Sequence, residues 1–132
     1  MAHPNESRLL ELYGMLARGD IDGFLAACTD DIVFTVPGTS AVSGTWTKWT
    51  FRKMMEAPAT VSGGTLRQRI THVIANDDQG ILLLDHRLER QGRPHAYRTA
   101  HIVRFRGSQV CAWTEHPGSL AELEEAWGRP GD

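Results

Sequence analysis

The sequence predicts an α+β fold on three observations: helical spacing of apolar residues near the N-terminus, a switch to long strand-like runs after residue 65, and a capped helical tail. Leu9, Leu12, Tyr13 and Leu16 recur at the spacing of one helix face, and the run stops at "RGD". Gly19 there can end the first helix and Asp20 can cap the next. The second helix, "IDGFLAAC", places Ile21, Phe24, Leu25 and Cys28 on its buried side before "TDD" gives way to a short strand, "IVFTV", closed by Pro37 and Gly38. Beyond the loop "TSAVSGT", the spacing over 46–55 predicts a third helix that packs Trp46 and Trp49 against the sheet.

Four long segments follow: "TLRQRITHVIAN", "ILLLDHRLER", "PHAYRTAHIVRFR" and "QVCAWTEH". The turn-formers "NDDQG", "QGR" and "RGS" separate them, as in an antiparallel meander. The tail "SLAELEEAW" opens on Ser119 with Glu122 three residues later, a capping box ahead of a short helix. A curved sheet of this kind must bury its concave face against the helices, and helices that do not fill it leave a pocket. No linker and no internal repeat interrupts the chain, so residues 1–132 are expected to form one domain.

A net charge of −2 and the absence of a basic stripe argue against nucleic acid as a partner. Arg87, Arg90, Arg93, Arg98, Arg104 and Arg106 lie on strand-like segments among acidic and apolar neighbours and read as a solvated face. No secretory leader and no run of about 20 apolar residues is present, so a cytoplasmic protein without a membrane partner is expected. Cys28 and Cys111 match neither a C-x-x-C nor a zinc spacing and are expected to be buried, reduced thiols.

Side chains two apart on a strand share a face. If His101 points inward, so do Tyr97, Thr99, Val103 and Phe105, which sends Arg98, Ala100, Ile102, Arg104 and Arg106 outward. On the last strand Trp113 and Glu115 are read as inward, with Val110, Ala112, Thr114 and His116 outward. The same alternation turns Leu82, Leu84, His86 and Leu88 inward. His101 and Glu115 flank the tight turn "RGS" and can meet on neighbouring strands. A histidine and a carboxylate together can deprotonate a carbon acid and protonate an oxyanion, which makes these two the candidate catalytic pair. Tyr13, Phe34, Leu84, His86, Tyr97 and Trp113 are the candidate substrate contacts, the aromatic ones supplying stacking and shape for a flat or hydrophobic ligand. The structural alternative is a satisfied core histidine with Glu115 paired to an arginine such as Arg98. His3, His95 and His116 read as surface or turn residues, and the facing of His72 is not fixed by the pattern. No histidine spacing points to a metal.

"LYGMLARGDIDGFLAACTDDIVFTVPG", "SGTW" and "AHIVRFRGSQVCAWTEHPG" together resemble the SnoaL-like branch of the nuclear-transport-factor-like superfamily, which also holds ketosteroid isomerase, scytalone dehydratase and limonene epoxide hydrolase. The resemblance implies a cone-shaped α+β barrel of cystatin-like type, a curved antiparallel sheet wrapped around the N-terminal helices. It further implies an apolar pocket for a small hydrophobic ligand, no cofactor, and a homodimer through the outer sheet face. Where the isomerase has its base this chain has Val36, which cannot take a proton, and the isomerase's oxyanion tyrosine falls on Leu12, one place from Tyr13. The isomerase's acidic oxyanion donor falls on His101, and a histidine there resembles the polyketide cyclases, which pair it with an acid on the last strand. His86 and His101 together resemble scytalone dehydratase, whereas the Asp-Arg-Asp set of the epoxide hydrolase is missing from inward positions. Two functions follow: an acid–base enzyme of cyclase, dehydratase or isomerase type, or a non-catalytic ligand-binding or dimerisation module. An open pocket lined by His101 and Glu115 favours the first, and a cone plugged by Trp113, Phe34 and Met54 the second. Outward Ala100, Ile102, Val110 and Ala112 suggest the patch that a second subunit covers.

Overall fold

A computed structural model describes residues 3–131. Two helices, α1 (Pro4–Ala17) and α2 (Ile21–Ala26), lead into strands β1 (Cys28–Val36) and β2 (Gly44–Thr47). Two single-turn helices, α3 (Phe51–Met54) and α4 (Ala57–Thr60), precede the meander β3 (Arg67–Ala75), β4 (Gln79–Arg90), β5 (Arg93–Arg106) and β6 (Gln109–Pro117), and α5 (Leu120–Trp127) ends the fold. The strands form one sheet in the order β2-β1-β6-β5-β4-β3. Every neighbouring pair is antiparallel except β1 with β6, which run parallel, a feature that the expected meander did not include.

The helix boundaries follow the chain's punctuation. Gly19 takes φ 78°, a conformation that favours glycine, and Asp20 caps α2 by accepting from the Gly23 N–H at 2.9 Å. Ser119 caps α5 in the same way through the Glu122 N–H. Helix α1 lies on β3 and β4, where a Cβ on Gly80 would collide with Leu9 Cδ1, so the missing side chain lets helix and sheet approach. Leu9, Leu12, Phe24, Ile32, Phe34 and Leu82 are all buried between the concave sheet face and the helices. Cys28 is buried at the start of β1 rather than on the second helix, and Cys111 is half-buried; both thiols are free.

Two further expectations are overturned. The stretch 46–55 is not one helix: Trp46 sits on β2, opposite Phe34, and its indole N–H donates to the Val42 carbonyl at 3.1 Å, while Trp49 is 75% exposed in a turn. The β-branched and aromatic residues of "GTWT" gain a ladder with β1 that outweighs the weak helical spacing. Val110 is not on the outer face. The ladder steps from Arg104↔Ala112 to Phe105↔Val110, leaving Cys111 as the extra residue of a β-bulge. That insertion resets the alternation, so Val110 is buried against the core at 2% exposure while Trp113 and Glu115 also face inward.

Candidate active site

The β5–β6 hairpin turns through Gly107 and Ser108, with Gly107 at φ 63°, and its register sets His101 opposite Glu115. Imidazole Nε2 lies 2.9 Å from Glu115 Oε1, and both side chains are buried. Two residues along β6, Trp113 packs edge-on against the His101 ring, with centroids 4.5 Å apart, and on its other side meets Phe34 of β1, its partner in the parallel ladder. From α1, Tyr13 brings its hydroxyl to 2.6 Å from His101 Nδ1 and 2.8 Å from Trp113 Nε1. The tyrosine thus reaches the cavity directly from α1.

Donor chemistry orients this chain of hydrogen bonds. An indole N–H only donates, so the Tyr13 oxygen accepts from Trp113 and its single O–H is directed to His101 Nδ1. With Nδ1 accepting, the neutral imidazole carries its proton on Nε2 and donates it to Glu115 Oε1. Burial pushes the Tyr13 hydroxyl well above the ordinary phenol range; the indole hydrogen bond opposes this and the Glu115 charge reinforces it. Tyr13 therefore stays protonated throughout the working pH range. Glu115 Oε2 has no hydrogen-bond partner among the described residues, and Glu115 lines the cavity.

That cavity holds about 340 Å³. Phe24, Phe34, Phe51, Met54, Leu66 and Trp127 give it an apolar wall, and Tyr13, Gln68, Tyr97, His101, Trp113 and Glu115 supply the polar groups. Of the candidate substrate contacts, Tyr13, Phe34, Tyr97 and Trp113 thus line it. Leu84 and His86 do not: both are buried in the layer behind the wall. His86 stacks on Tyr97 with rings 4.5 Å apart and 10° from parallel. The Gln68 amide nitrogen donates to His86 Nδ1 at 3.1 Å, which leaves His86 Nε2–H to donate to Thr99 Oγ1 at 2.6 Å. Burial, the dominant effect, lowers the His86 pKa to about 4. Arg98, the alternative partner for Glu115, pairs instead with Asp85 on the outer face.

Gln68 and Phe51 are lining residues that sequence reasoning did not assign to the cavity, whereas Met54, expected as a possible plug of the cone, lines it. Gln68 lies opposite His86 in the β3–β4 ladder, and alternation from an inward Ile70 points to it. Phe51 was hidden by reading 46–55 as one helix.

His86, His101 and Glu115 also place one potential ligand atom each within 4.8 Å of one another, the donor types of a two-histidine, one-carboxylate metal site. The sheet register, not a chain spacing, brings them together. All four imidazole nitrogens already have hydrogen-bond partners, so an ion here would have to displace at least the His101–Glu115 contact.

A curved sheet closed by helices over an apolar cavity with a few convergent polar groups is the cystatin-like cone of the nuclear-transport-factor-like proteins. The chain belongs to the SnoaL-like domain family, which matches residues 9–113. Its fold is similar to that of Bal32a from a soil-derived mobile gene cassette, at 21% identity over 93% of this chain and 95% of that one, with a TM-score of 0.85. An NTF2-like protein of unknown function from Burkholderia pseudomallei is 20% identical over 96% and 99% of the two chains, with a TM-score of 0.83. TerC, solved with polyporic acid, is 18% identical over 94% and 98%, with a TM-score of 0.78. No protein with a curated description matches. Among the described residues, no helix is long and apolar enough to cross a membrane.

Proposed function

We propose that the protein is a cofactor-free acid–base enzyme that acts on a small hydrophobic carbonyl-bearing or polycyclic compound in the manner of a cyclase, dehydratase or isomerase. The observation that carries this reading is the directed chain Trp113–Tyr13–His101–Glu115, which ends on Glu115 Oε1 and leaves Oε2 of the same cavity-lining carboxylate without a partner among the described residues. Glu115 Oε2 takes a proton from the carbon next to the substrate carbonyl, and the released electron pair moves onto the carbonyl oxygen as an enolate. Tyr13, still protonated, turns its O–H from His101 to that oxygen. The enolate then attacks a second carbonyl of the substrate to close a ring, the proton on Glu115 going to the new alkoxide; or it expels a β-hydroxyl, which leaves as water with that proton; or it takes the proton back at another carbon, according to the substrate. Membership of the SnoaL-like family and the likeness to TerC, solved with polyporic acid, are consistent with a flat polyketide-like ligand.

The test is deuterium exchange by NMR at the carbon next to the carbonyl, across a panel of polyketide and terpenoid ketones. Exchange by the wild type that falls by about 100-fold or more in Glu115→Gln, and less in His101→Ala, supports the reading. Exchange unchanged in Glu115→Gln overturns it, and saturable binding without exchange on any panel member points to the non-catalytic module instead. Trp113, Phe34 and Met54 border the open cavity rather than plugging it, which favours the enzyme.

The same proposal includes a homodimer. The outer sheet face carries half-buried Ala100, Ile102 and Ala112, and large apolar side chains stand clear of the core at Val33, Leu83 and Ile74. Sedimentation at micromolar concentration is expected to give twice the chain mass, and a monomer would refute this part.

A further inference from the structure

Tyr97 repeats the hydrogen-bond logic of Tyr13 with one difference. Strand β6 ends at Pro117, opposite Thr99, so the next inward residue of β5, Tyr97, has no strand on that side, and α5 supplies Trp127 instead. The Trp127 indole N–H donates to the Tyr97 oxygen at 2.6 Å. An indole cannot accept in return, so the tyrosine's own O–H is directed elsewhere. Tyr13, oriented in the same way by Trp113, spends that hydrogen on His101 Nδ1, whereas the Tyr97 hydrogen has no acceptor among the described residues. Tyr97 and Trp127 both line the cavity, so the hydrogen bond that joins them is part of its wall. From behind, the Tyr97 ring lies flat on His86, which is itself fixed through Gln68 and Thr99. Gln68, His86 and Tyr97 stand directly opposite one another on β3, β4 and β5, and the sheet register carries this brace. Burial, reinforced by the Glu115 charge and opposed by the indole hydrogen bond, keeps the Tyr97 phenol well above its ordinary range, so the hydrogen stays in place. A buried donor without an acceptor is unfavourable, and a ligand oxygen satisfies it. Tyr97 precedes His101 on β5 by a span of roughly 13 Å at about 3.3 Å per residue, so this donor stands apart from the proton-transfer groups.

We propose that the Tyr97 hydroxyl is a binding donor for a second oxygen of the substrate, a carbonyl or hydroxyl oxygen at the far end of the hydrophobic body from the carbonyl that Glu115 and Tyr13 serve. This inference rests on the proposed acid–base use of the cavity. The substrate class is thereby narrowed to compounds oxygenated at both ends, held at one end by Tyr97 and reacting at the other. With a stacked ring behind it and an indole beside it, the donor meets the ligand with no rotamer left to immobilise.

The test uses a matched pair of probes: a naphthalene with acetyl groups at its two opposite ends, and the same naphthalene with one acetyl replaced by isopropyl, an apolar group of similar shape. Both are titrated into the wild type and Tyr97→Phe, with binding read from the fluorescence of the cavity tryptophans Trp113 and Trp127 and folding confirmed by circular dichroism. The wild type is expected to bind the diketone about fivefold more tightly than the monoketone. In Tyr97→Phe, which keeps the stacked ring and loses only the hydroxyl, that preference should fall to about twofold or less while the monoketone changes by less than about twofold. No preference in the wild type, a comparison that needs no variant, overturns the Tyr97 subsite, as does a preference that survives Tyr97→Phe or an equal loss of both probes. Deuterium exchange into the acetyl methyl groups reports the acid–base reading separately: a Tyr97-dependent preference without exchange refutes that reading and leaves the binding donor supported. Binding of neither probe to the wild type removes the subsite together with the cavity as a site for flat ligands.

Discussion

His86 makes the fold acid-sensitive by an amount that the structure sets. It is buried at 1% exposure, and its surroundings lower its pKa from 6.5 to about 4. Loss of solvation is the main cause; nearby His101 adds to the shift, while Glu115 and Asp85 oppose it. The folded protein therefore binds this proton less readily than the unfolded chain. Stability from the neutral ring is fully present above pH 6.5 and drains away as the pH falls toward 4. At about 1.4 kcal/mol per pKa unit the whole effect is about 3 kcal/mol, of which about 2 kcal/mol is lost between pH 7 and pH 5. Urea denaturation followed by tryptophan fluorescence, on wild type and His86→Gln at both pH values, isolates the contribution from that of other groups. The wild type is expected to lose about 2 kcal/mol more than the variant over that interval. Parallel losses in the two proteins would show that His86 is not held neutral by its burial.

Three other perturbations probe the packing and the turns. Gly80→Ala places a methyl group against Leu9 Cδ1, and because Leu9 is itself buried it has little room to swing away. The substitution should destabilise by about 1–3 kcal/mol, and Leu9→Ala in the same chain should recover part of the deficit in a double-mutant cycle. Gln91, at φ 54°, is the only described non-glycine residue with positive φ, and it shares the two-residue β4–β5 turn with Gly92 at φ 75°. Gln91→Asn creates the Asn-Gly pair that such turns favour and should raise Tm by a few degrees, about 0.5–1 kcal/mol, in scanning calorimetry. Cys28, with its thiol pushed up to about 12 chiefly by burial, should resist a thiol reagent in the native protein and react only on unfolding.

Much of the site was legible because strand alternation is a strict rule wherever one face is buried. From His101 alone it placed Tyr97, Thr99, Val103 and Phe105 inside, and all five are buried. It failed at Val110 because a bulge adds a residue without any mark in composition: Cys111 is as compatible with a strand as its neighbours. The reading of 46–55 failed because apolar residues at three- and four-residue intervals fit a helix on paper, while what decides the matter is pairing with β1, where Trp46 lies opposite Phe34 across a loop that no local pattern reveals. The hydrogen-bond direction in the site was beyond reach from sequence. It depends on Tyr13 and Trp113 meeting across the fold, a contact between residues 100 positions apart.

The bulge and the site are connected. Beside the tight turn, Phe105 and Val110 pair with both side chains in the core. Regular alternation from Val110 would turn Ala112 and Thr114 toward the cavity and send Trp113 and Glu115 out to solvent. One unpaired residue, Cys111, reverses that phase, so the same strand seals the core at its turn end and presents an indole and a carboxylate to the cavity further along. A bulge also bends its strand and sharpens its twist, which suits a sheet that must curve around the helices. Val36, which cannot take a proton, has no part in proton transfer. It lines the cavity as part of the apolar wall, and the groups able to move protons are gathered on β5, β6 and α1, where His101, Glu115 and Tyr13 are already joined by hydrogen bonds.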